Sequence, residues 1–128
     1  MTILLVDDDE DDRKLFIEAV AAVDPLIECF AKANGVEALS YLSDLDNGLP
    51  DMIFLDLRMP GMSGQDCLRE IKSDARFNHT PVIVYTTSRD EKESAILKAL
   101  GAAHFMSKPV KPSDVYFMVS FALSEKWS

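Results

Sequence analysis

The sequence holds little that would connect the protein to a membrane, an oxidising compartment or a nucleic acid. Its two cysteines are too few for a disulfide framework. No apolar run approaches the roughly 20 residues that span a bilayer, and the apolar N-terminus turns acidic too early for a signal peptide. Only 13 basic residues stand against 22 acidic ones, which argues against binding to nucleic acid or to an anionic membrane. We therefore expect a cytoplasmic protein that binds neither.

The chain length and composition suit one globular domain. The 128 residues are 48% hydrophobic and 27% charged, a balance typical of folded rather than disordered proteins. A domain of this size buries roughly two thirds of the surface that its unfolded chain exposes. It therefore needs no metal or disulfide to fold, and we expect residues 1–128 to form a single domain.

Short apolar runs alternate with amphipathic stretches along the whole chain. The runs predict five strands, at residues 2–6, 26–32, 51–57, 81–86 and 102–107. The amphipathic stretches predict five helices, at residues 11–23 and 36–45, after the N-cap Ser63, and at residues 89–100 and 113–126. Because the strands are almost continuously apolar, helices should cover both faces of the sheet. The sequence thus predicts an α/β domain with a doubly wound, five-stranded parallel sheet.

The spacing of apolar residues also predicts which face of the fourth helix is buried. Alanine, isoleucine and leucine recur there at helical intervals. The predicted inward face consists of Ala95, Ile96, Ala99 and Leu100.

Polar residues lie at the carboxyl ends of four predicted strands, the edge at which ligands bind in an open parallel sheet. They are Asp7 and Asp8, then Asp56, Thr86 and Lys108. Three carboxylates brought together repel one another unless a cation neutralises them, and Mg²⁺ suits a small set of oxygen ligands. With a lysine and a hydroxyl facing it, such a cluster predicts a clamp for an anion, most naturally a phosphoryl group.

Four segments, in order along the chain, resemble the motifs of a response-regulator receiver domain. They are LLVDDDE at the first strand, FLDLRMPGMSG at the third, VIVYTTS at the fourth and FMSKPV at the fifth. The segments GVEAL and GAAHF fit the same family, whose single-domain members include the chemotaxis response regulator. The resemblance covers essentially the whole chain. It implies a flavodoxin-like (βα)5 receiver fold and a phosphoacceptor in two-component signalling rather than an enzyme.

The resemblance implies a phosphorylation site and a metal site. Asp56 corresponds to the aspartate that is phosphorylated. Asp7 and Asp8 correspond to the acidic pair that holds Mg²⁺, Asp8 directly and Asp7 through water. The backbone carbonyl of Arg58 supplies a further metal ligand in such domains. The implied metal site therefore consists of Asp7, Asp8, Asp56 and Arg58.

The resemblance also implies the residues that read the phosphorylated state. Thr86 matches the hydroxyl residue that moves toward the acyl phosphate, and Phe105 matches the aromatic switch residue. Lys108 matches the lysine that contacts a phosphoryl oxygen, so Asp56, Thr86 and Lys108 would carry the reaction. The peptide bond from Lys108 to Pro109 is cis in the family, and X–Pro bonds are those in which cis is energetically accessible.

The partners follow from the same resemblance. The phosphoryl donor in the family is a phosphohistidine on a sensor histidine kinase, and a phosphorelay intermediate would also exchange phosphate with a histidine phosphotransfer protein. The chain leaves no room for an output domain after Pro109, so we expect the signal to leave through a surface. The candidate surface comprises the fourth helix, fifth strand and last helix, where a downstream protein or a second copy of the chain would meet Lys92, Lys98, His104 and Lys111.

A calcium-binding loop is the strongest alternative from another class. Asp7, Asp9 and Asp11, with Glu18 further on, match acidic positions of an EF-hand loop. The match fails at the sixth position, which is Asp12 instead of glycine. The preceding segment is also a predicted strand, whereas an EF-hand begins with a helix.

Two further alternatives share the predicted site. A Mg²⁺-dependent phosphohydrolase of the haloacid-dehalogenase type needs a second aspartate two residues after its nucleophile, and Arg58 occupies that position. A receiver-like scaffold that is never phosphorylated is the other. The intact set of Asp8, Asp56, Thr86 and Lys108 argues against it.

Overall fold

The computed structural model describes residues 1–87 and 90–125, and its strands form one sheet. The strands are β1 (Thr2–Val6), β2 (Glu28–Lys32), β3 (Met52–Leu55), β4 (Val82–Thr86) and β5 (His104–Ser107). They lie in the order β2-β1-β3-β4-β5, and each neighbouring pair is parallel. The connections change direction between β1 and β3, so a crevice at the carboxyl ends of these two strands is the expected ligand site of this topology.

Helices alternate with the strands in the described ranges. They are α1 (Glu10–Val23), α2 (Gly35–Ser43), α3 (Gly64–Ser73), α4 (Glu91–Ala99) and α5 (Pro112–Ser124), with a 3₁₀ turn at Leu45–Asn47. The predicted doubly wound α/β domain with a five-stranded parallel sheet is therefore confirmed.

The central strands β1, β3 and β4 send alternate side chains to two separate cores, one on either face of the sheet. In β1, Ile3 and Leu5 pack with residues of α1 and α5. Leu4 and Val6 pack on the opposite face with residues of α2 and α3. Burial on both faces is the reason that the strand sequences are continuously apolar instead of alternating.

Polar side chains at the strand-to-helix turns set where the helices begin. The carboxylate of Asp9 accepts a hydrogen bond from the Asp12 amide at 3.0 Å and so caps α1. The Ser63 hydroxyl accepts from the Asp66 amide at 3.2 Å, which confirms the predicted N-cap of α3. Part of the acidic run therefore serves the helix, since negative charge in a first turn is favourable.

The structure corrects the predicted buried face of α4. Leu97 is the fully buried residue of this helix, with 1% of its surface exposed, whereas Ile96 is 52% exposed. Ala95 and Ala99 are also exposed, and Leu100 is only partly buried. The half-buried Glu93 lies one helical turn before Leu97, so α4 contacts the sheet through a stripe rotated by about 100°, one residue, from the predicted one.

The remaining differences concern the ends of elements. The fifth strand is shorter than predicted and begins at His104, while the last helix begins one residue earlier, at Pro112. The predicted first residue of α4, Arg89, and the predicted last residue of α5, Lys126, lie outside the described residues. No helix of the described ranges combines the length and the apolar composition needed to span a membrane.

The rotated face of α4 predicts different costs for two neighbouring truncations. Leu97→Ala should lower the free energy of unfolding by about 2–5 kcal/mol, because it opens a cavity in the core. Ile96→Ala, at the exposed neighbouring position, should change it by only about 0.5 kcal/mol. Urea unfolding followed by circular dichroism measures both free energies of unfolding. An equal loss in the two variants would support the buried face that the apolar spacing predicted.

Candidate functional site

The carboxyl ends of β1 and β3 bring two aspartates side by side. Val6 pairs with Leu55, and the Asp56 amide donates to the Val6 carbonyl at 2.8 Å. Asp7 and Asp56 follow directly and are almost wholly inaccessible, with 0% and 3% of their surfaces exposed. Two ionisable groups are therefore buried next to each other at the predicted ligand crevice.

A third carboxylate completes an acidic cluster. One carboxylate oxygen from each of Asp7, Asp8 and Asp56 lies within 4.8 Å of the others, and Asp8 is the exposed member. Three oxygens at this spacing, open to solvent on one side, suit a hard divalent cation that retains some of its water. The donor set thus fits the Mg²⁺ that the sequence implies.

Lys108 provides positive charge from the end of β5. Its ammonium nitrogen lies 3.0 Å from Asp7, 3.2 Å from Asp56 and 2.9 Å from Asp12. The sequence predicted the first two neighbours. Asp12 was missed because it lies on α1, and only the packing of that helix beside the strand ends brings it to the lysine.

Tyr85 is a second neighbour of the cluster that the sequence did not predict. Its hydroxyl donates a hydrogen bond to Oδ2 of Asp7, and its ring centroid lies 4.9 Å from the Lys108 ammonium. The strand pattern contained a usable signal. Leu5 pairs with Phe54, and Phe54 pairs with Ile83. Two residues further along each of these strands, the same alignment places Asp7, Asp56 and Tyr85 side by side.

Burial and charge act in opposite directions on the ionisable groups here. Burial raises the pKa of Asp56 to about 6, although Lys108 works against that rise. Burial disfavours the Lys108 ammonium, but its hydrogen bond to Asp12 and the charges of Asp7 and Asp56 outweigh this and raise its pKa above the ordinary value. At neutral pH the site therefore holds an ionised Asp56 facing a charged lysine.

The backbone of Arg58 lies beside the acidic cluster, whereas its side chain points away from the cluster. Its amide approaches Oδ1 of Asp56 at 3.4 Å, while its guanidinium forms an ion pair with Glu93 of α4 at 3.2 Å. The peptide that follows Asp56 is thus adjacent to the carboxylates. The role of the Arg58 carbonyl as a metal ligand stays a prediction.

The two predicted switch residues lie on adjacent strands. Thr86 is fully buried at the end of β4 and pairs with Ser107 of β5. Phe105 pairs with Val84, two residues further from the site, and packs partly buried against the core beneath α2, α3 and α4. The alternation of strand side chains places Thr86 and Phe105 on this same face of the sheet, opposite to the Tyr85 face.

The predicted cis bond between Lys108 and Pro109 is wrong, because every peptide bond in the described part of the chain is trans. Trans is the lower-energy isomer of an X–Pro bond by about 0.5–1 kcal/mol. The trans chain already delivers the lysine ammonium to the carboxylates. The Lys108 amide also donates to the Thr86 carbonyl at 2.7 Å, which extends the ladder between β4 and β5 as far as the proline.

The calcium-loop alternative is also wrong. Asp7 would be its first ligand, but α1 begins at Glu10, which is the fourth position of the loop. A helix rises 1.5 Å per residue, so Asp11 and Glu18 stand roughly 10 Å apart along α1. Side chains of one helix separated in this way cannot converge on a single ion.

Comparison with known proteins agrees with this geometry. The model of the family described as response regulator receiver domain matches residues 3–120. The chain is 33% identical over 122 residues to the two-component response regulator ARR17 of Arabidopsis thaliana, an alignment that covers 88% of this chain and 78% of that protein. It is 30% identical over 121 residues to response regulator Rcp1 of Synechocystis sp., with 91% and 82% covered.

Solved structures extend the likeness to three dimensions. The phosphorylated cyanobacterial phytochrome response regulator RcpA superposes with a TM-score of 0.87 at 32% identity, over 98% of this chain and 92% of that one. The Mn²⁺-bound form of Rcp1 gives 0.86 at 28% identity, over 96% and 91%. The chain belongs to the response regulator receiver domain family and thus to the proteins of two-component signalling.

Gly64 permits the close approach that shapes the Asp56 turn. A Cβ atom at this position would lie 2.6 Å from the Cα of Leu57 and would also collide with the Asp56 carbonyl oxygen. Both are backbone atoms, so neither can yield without moving the phosphoacceptor candidate. The backbone of the Asp56 turn, and not the helix itself, therefore requires glycine at the first position of α3.

Gly64→Ala should consequently lower the free energy of unfolding by about 1–3 kcal/mol through overpacking. It should also shift the amide NMR signals of Asp56 and Leu57. Gly35→Ala is the matched control at the first residue of α2, because its Cβ would meet the flexible end of Met62 at 2.8 Å. Equal stability of the two variants, with unchanged Asp56 signals, would contradict this account.

Proposed function

We propose that Asp56 accepts a phosphoryl group from a phosphohistidine of a sensor histidine kinase in a Mg²⁺-dependent reaction. The observation that carries the proposal is the position of the Asp56 carboxylate, which lies 3.2 Å from the Lys108 ammonium and next to Asp7 and Asp8. Membership of the receiver family supports it. The alternative of an unphosphorylated scaffold has no use for this costly arrangement of buried charge.

The proposed step exchanges one bond to phosphorus for another. A carboxylate oxygen of Asp56 attacks phosphorus, the bond from phosphorus to the donor's histidine nitrogen breaks, and its electron pair stays on that nitrogen. Asp56 becomes an acyl phosphate. With a pKa of about 6 the carboxylate is ionised at neutral pH, so it needs no general base.

The other residues neutralise charge in this step. Asp8, Asp56, the Arg58 carbonyl and, through water, Asp7 would hold Mg²⁺, which when bound offsets negative charge on the transferring phosphoryl oxygens. Lys108 supplies the second positive charge by turning from a carboxylate to a phosphoryl oxygen. Water attack on phosphorus later releases inorganic phosphate and restores Asp56, so the domain resets itself without acting as an enzyme on another molecule.

The phosphorylated state is proposed to be read through Thr86 and Phe105. Movement of the Thr86 hydroxyl toward the acyl phosphate vacates space on the α4 face of the sheet, and the half-buried ring of Phe105 on the next strand can fill it. One charge event at Asp56 would thereby change the surface formed by α4, β5 and α5.

This surface is where we propose that a downstream protein or a second copy of the chain docks. Lys92, Lys98 and Lys111 are exposed there, as the sequence predicted. His104 is half-buried, and burial lowers its pKa, so the histidine is neutral at pH 7 and adds no charge. Exposed apolar side chains lie on the same two helices: Ile96, Tyr116, Phe117 and Phe121.

The setting of this function is also a proposal. We propose that this receiver acts in the cytoplasm.

The proposed phosphoacceptor predicts a single labelled residue. With acetyl phosphate and Mg²⁺ the protein should gain one phosphoryl group in intact-mass spectrometry, and Asp56→Asn should abolish the gain because an amide is not a nucleophile toward phosphorus. Chelation of Mg²⁺ should abolish it in the wild-type protein. Asp46→Asn, an exposed control in the 3₁₀ turn, should label normally. Full labelling of Asp56→Asn would refute the assignment.

The proposed switch predicts that acceptance and readout can be separated. Beryllofluoride, which mimics a bound phosphoryl group, should shift the NMR signals of α4, β5 and α5 in the wild-type protein. Thr86→Ala should bind it yet lose most of the distal shifts, because the variant lacks the moving hydroxyl. Thr80→Ala, a buried control before β4, should behave like wild type. Shifts confined to the acidic cluster in the wild-type protein would rule out the switch.

A further inference from the structure

Tyr85 lies at the boundary between the apolar core and the acidic cluster. Its ring is buried on the α1 and α5 face of the sheet, with ring centroids 5.6 Å from Phe16 and 6.3 Å from Phe54. Its hydroxyl emerges from this aromatic group against Asp7. The apolar packing fixes the ring, so the position of the hydroxyl is set by the core and not by solvent.

The Asp7 carboxylate accepts hydrogen bonds from three donors. Its Oδ1 accepts from the Asp9 amide at 3.0 Å, and its Oδ2 accepts both from Tyr85 and from the Lys108 ammonium. Lys108 also contacts Asp12 and Asp56, so its nitrogen is shared among three carboxylates. The Tyr85 hydroxyl is not shared in this way, because it has one proton to donate and donates it to Asp7.

The ring of Tyr85 acts on the other charged partner. The Lys108 ammonium lies 4.9 Å from the ring centroid, a distance at which the ring face attracts a cation. One side chain therefore contacts both the carboxylate that faces the metal position and the lysine that faces the phosphoryl position.

We propose that Tyr85 is a positioning residue of this receiver: its hydroxyl orients Asp7 for divalent-metal binding, and its ring holds Lys108 over Asp56. The proposal rests on the proposed function, since it concerns the same site. Tyr85 itself does not touch the metal or the phosphoryl group. It acts through Asp7 and Lys108, and the two actions belong to different parts of the side chain.

Two substitutions separate these actions. Tyr85→Phe removes only the hydroxyl, so the dissociation constant for Mg²⁺ should rise about tenfold, the effect of losing one hydrogen bond to a charged group. At saturating Mg²⁺ its rate of phosphorylation by acetyl phosphate should match wild type, because the ring remains. Tyr85→Leu removes the ring as well and should also slow phosphorylation at saturating Mg²⁺, by about threefold or more, in line with the weak energy of a cation–π contact.

The binding constant is measured by titrating MgCl₂ into the ¹⁵N-labelled protein and following the amide signals of Asp8 and Leu57. Tyr41→Phe makes the same chemical change at a half-buried tyrosine of α2 and should leave the constant unchanged. Asp8→Ala supplies the reference for a lost metal site. A merely structural role of the Tyr85 hydroxyl would lower the melting temperature without moving the Mg²⁺ constant of the folded protein, which would overturn the proposal.

The outcomes distinguish this inference from the function on which it rests. If wild-type protein neither binds Mg²⁺ nor accepts phosphate, the proposed function fails. If wild-type protein does both and Tyr85→Phe binds Mg²⁺ within twofold of it, only the role of Tyr85 fails. Should Tyr85→Phe not fold, ¹⁹F NMR of the wild-type protein labelled with fluorotyrosine decides. The Tyr85 signal should move on addition of Mg²⁺ while those of Tyr41 and Tyr116 stay, and a static Tyr85 signal would refute the proposal.

Discussion

Two buried carboxylates that share one ammonium are the interaction on which the rest of this structure depends. Asp7 and Asp56 lose nearly all contact with water, and Lys108 is the cation within 3.2 Å of both. Breaking such a pair leaves an uncompensated buried charge, which is strongly unfavourable. The strands that carry these residues, β1, β3 and β5, must therefore end at the same edge of the sheet, and a parallel sheet with helical crossovers achieves this.

The apolar frame supports the charge cluster. Both faces of the sheet are covered, and the side chains beneath the cluster are fully buried aromatic and aliphatic groups. The site also constrains the apolar frame at Gly64, because any side chain there would displace the backbone of the Asp56 turn. The acidic run also serves both purposes, because Asp7 and Asp8 belong to the cluster while Asp9 caps α1.

Strand β4 connects the two faces of the molecule. Its last two residues, Tyr85 and Thr86, point to opposite sides because successive strand side chains alternate. Tyr85 faces the α1 and α5 side and contacts Asp7 and Lys108. Thr86 faces the side of α4, where the proposed signal leaves the domain. The end of this strand thus separates residues that shape the acceptor pocket from residues that would report its state.

The sequence by itself determined the fold class, the strand order along the chain and the residues at the strand ends. The apolar runs of the central strands are readable because burial on both faces of the sheet favours apolar side chains, and Asp7, Asp56, Thr86 and Lys108 are readable because they lie at the ends of strands. The tertiary structure alone decided the contacts of Asp12 and Tyr85, the rotated face of α4 and the trans bond before Pro109. Those features depend on how a helix is placed against the sheet and on which pairs share a row across strands, and local spacing along one chain segment does not contain that information.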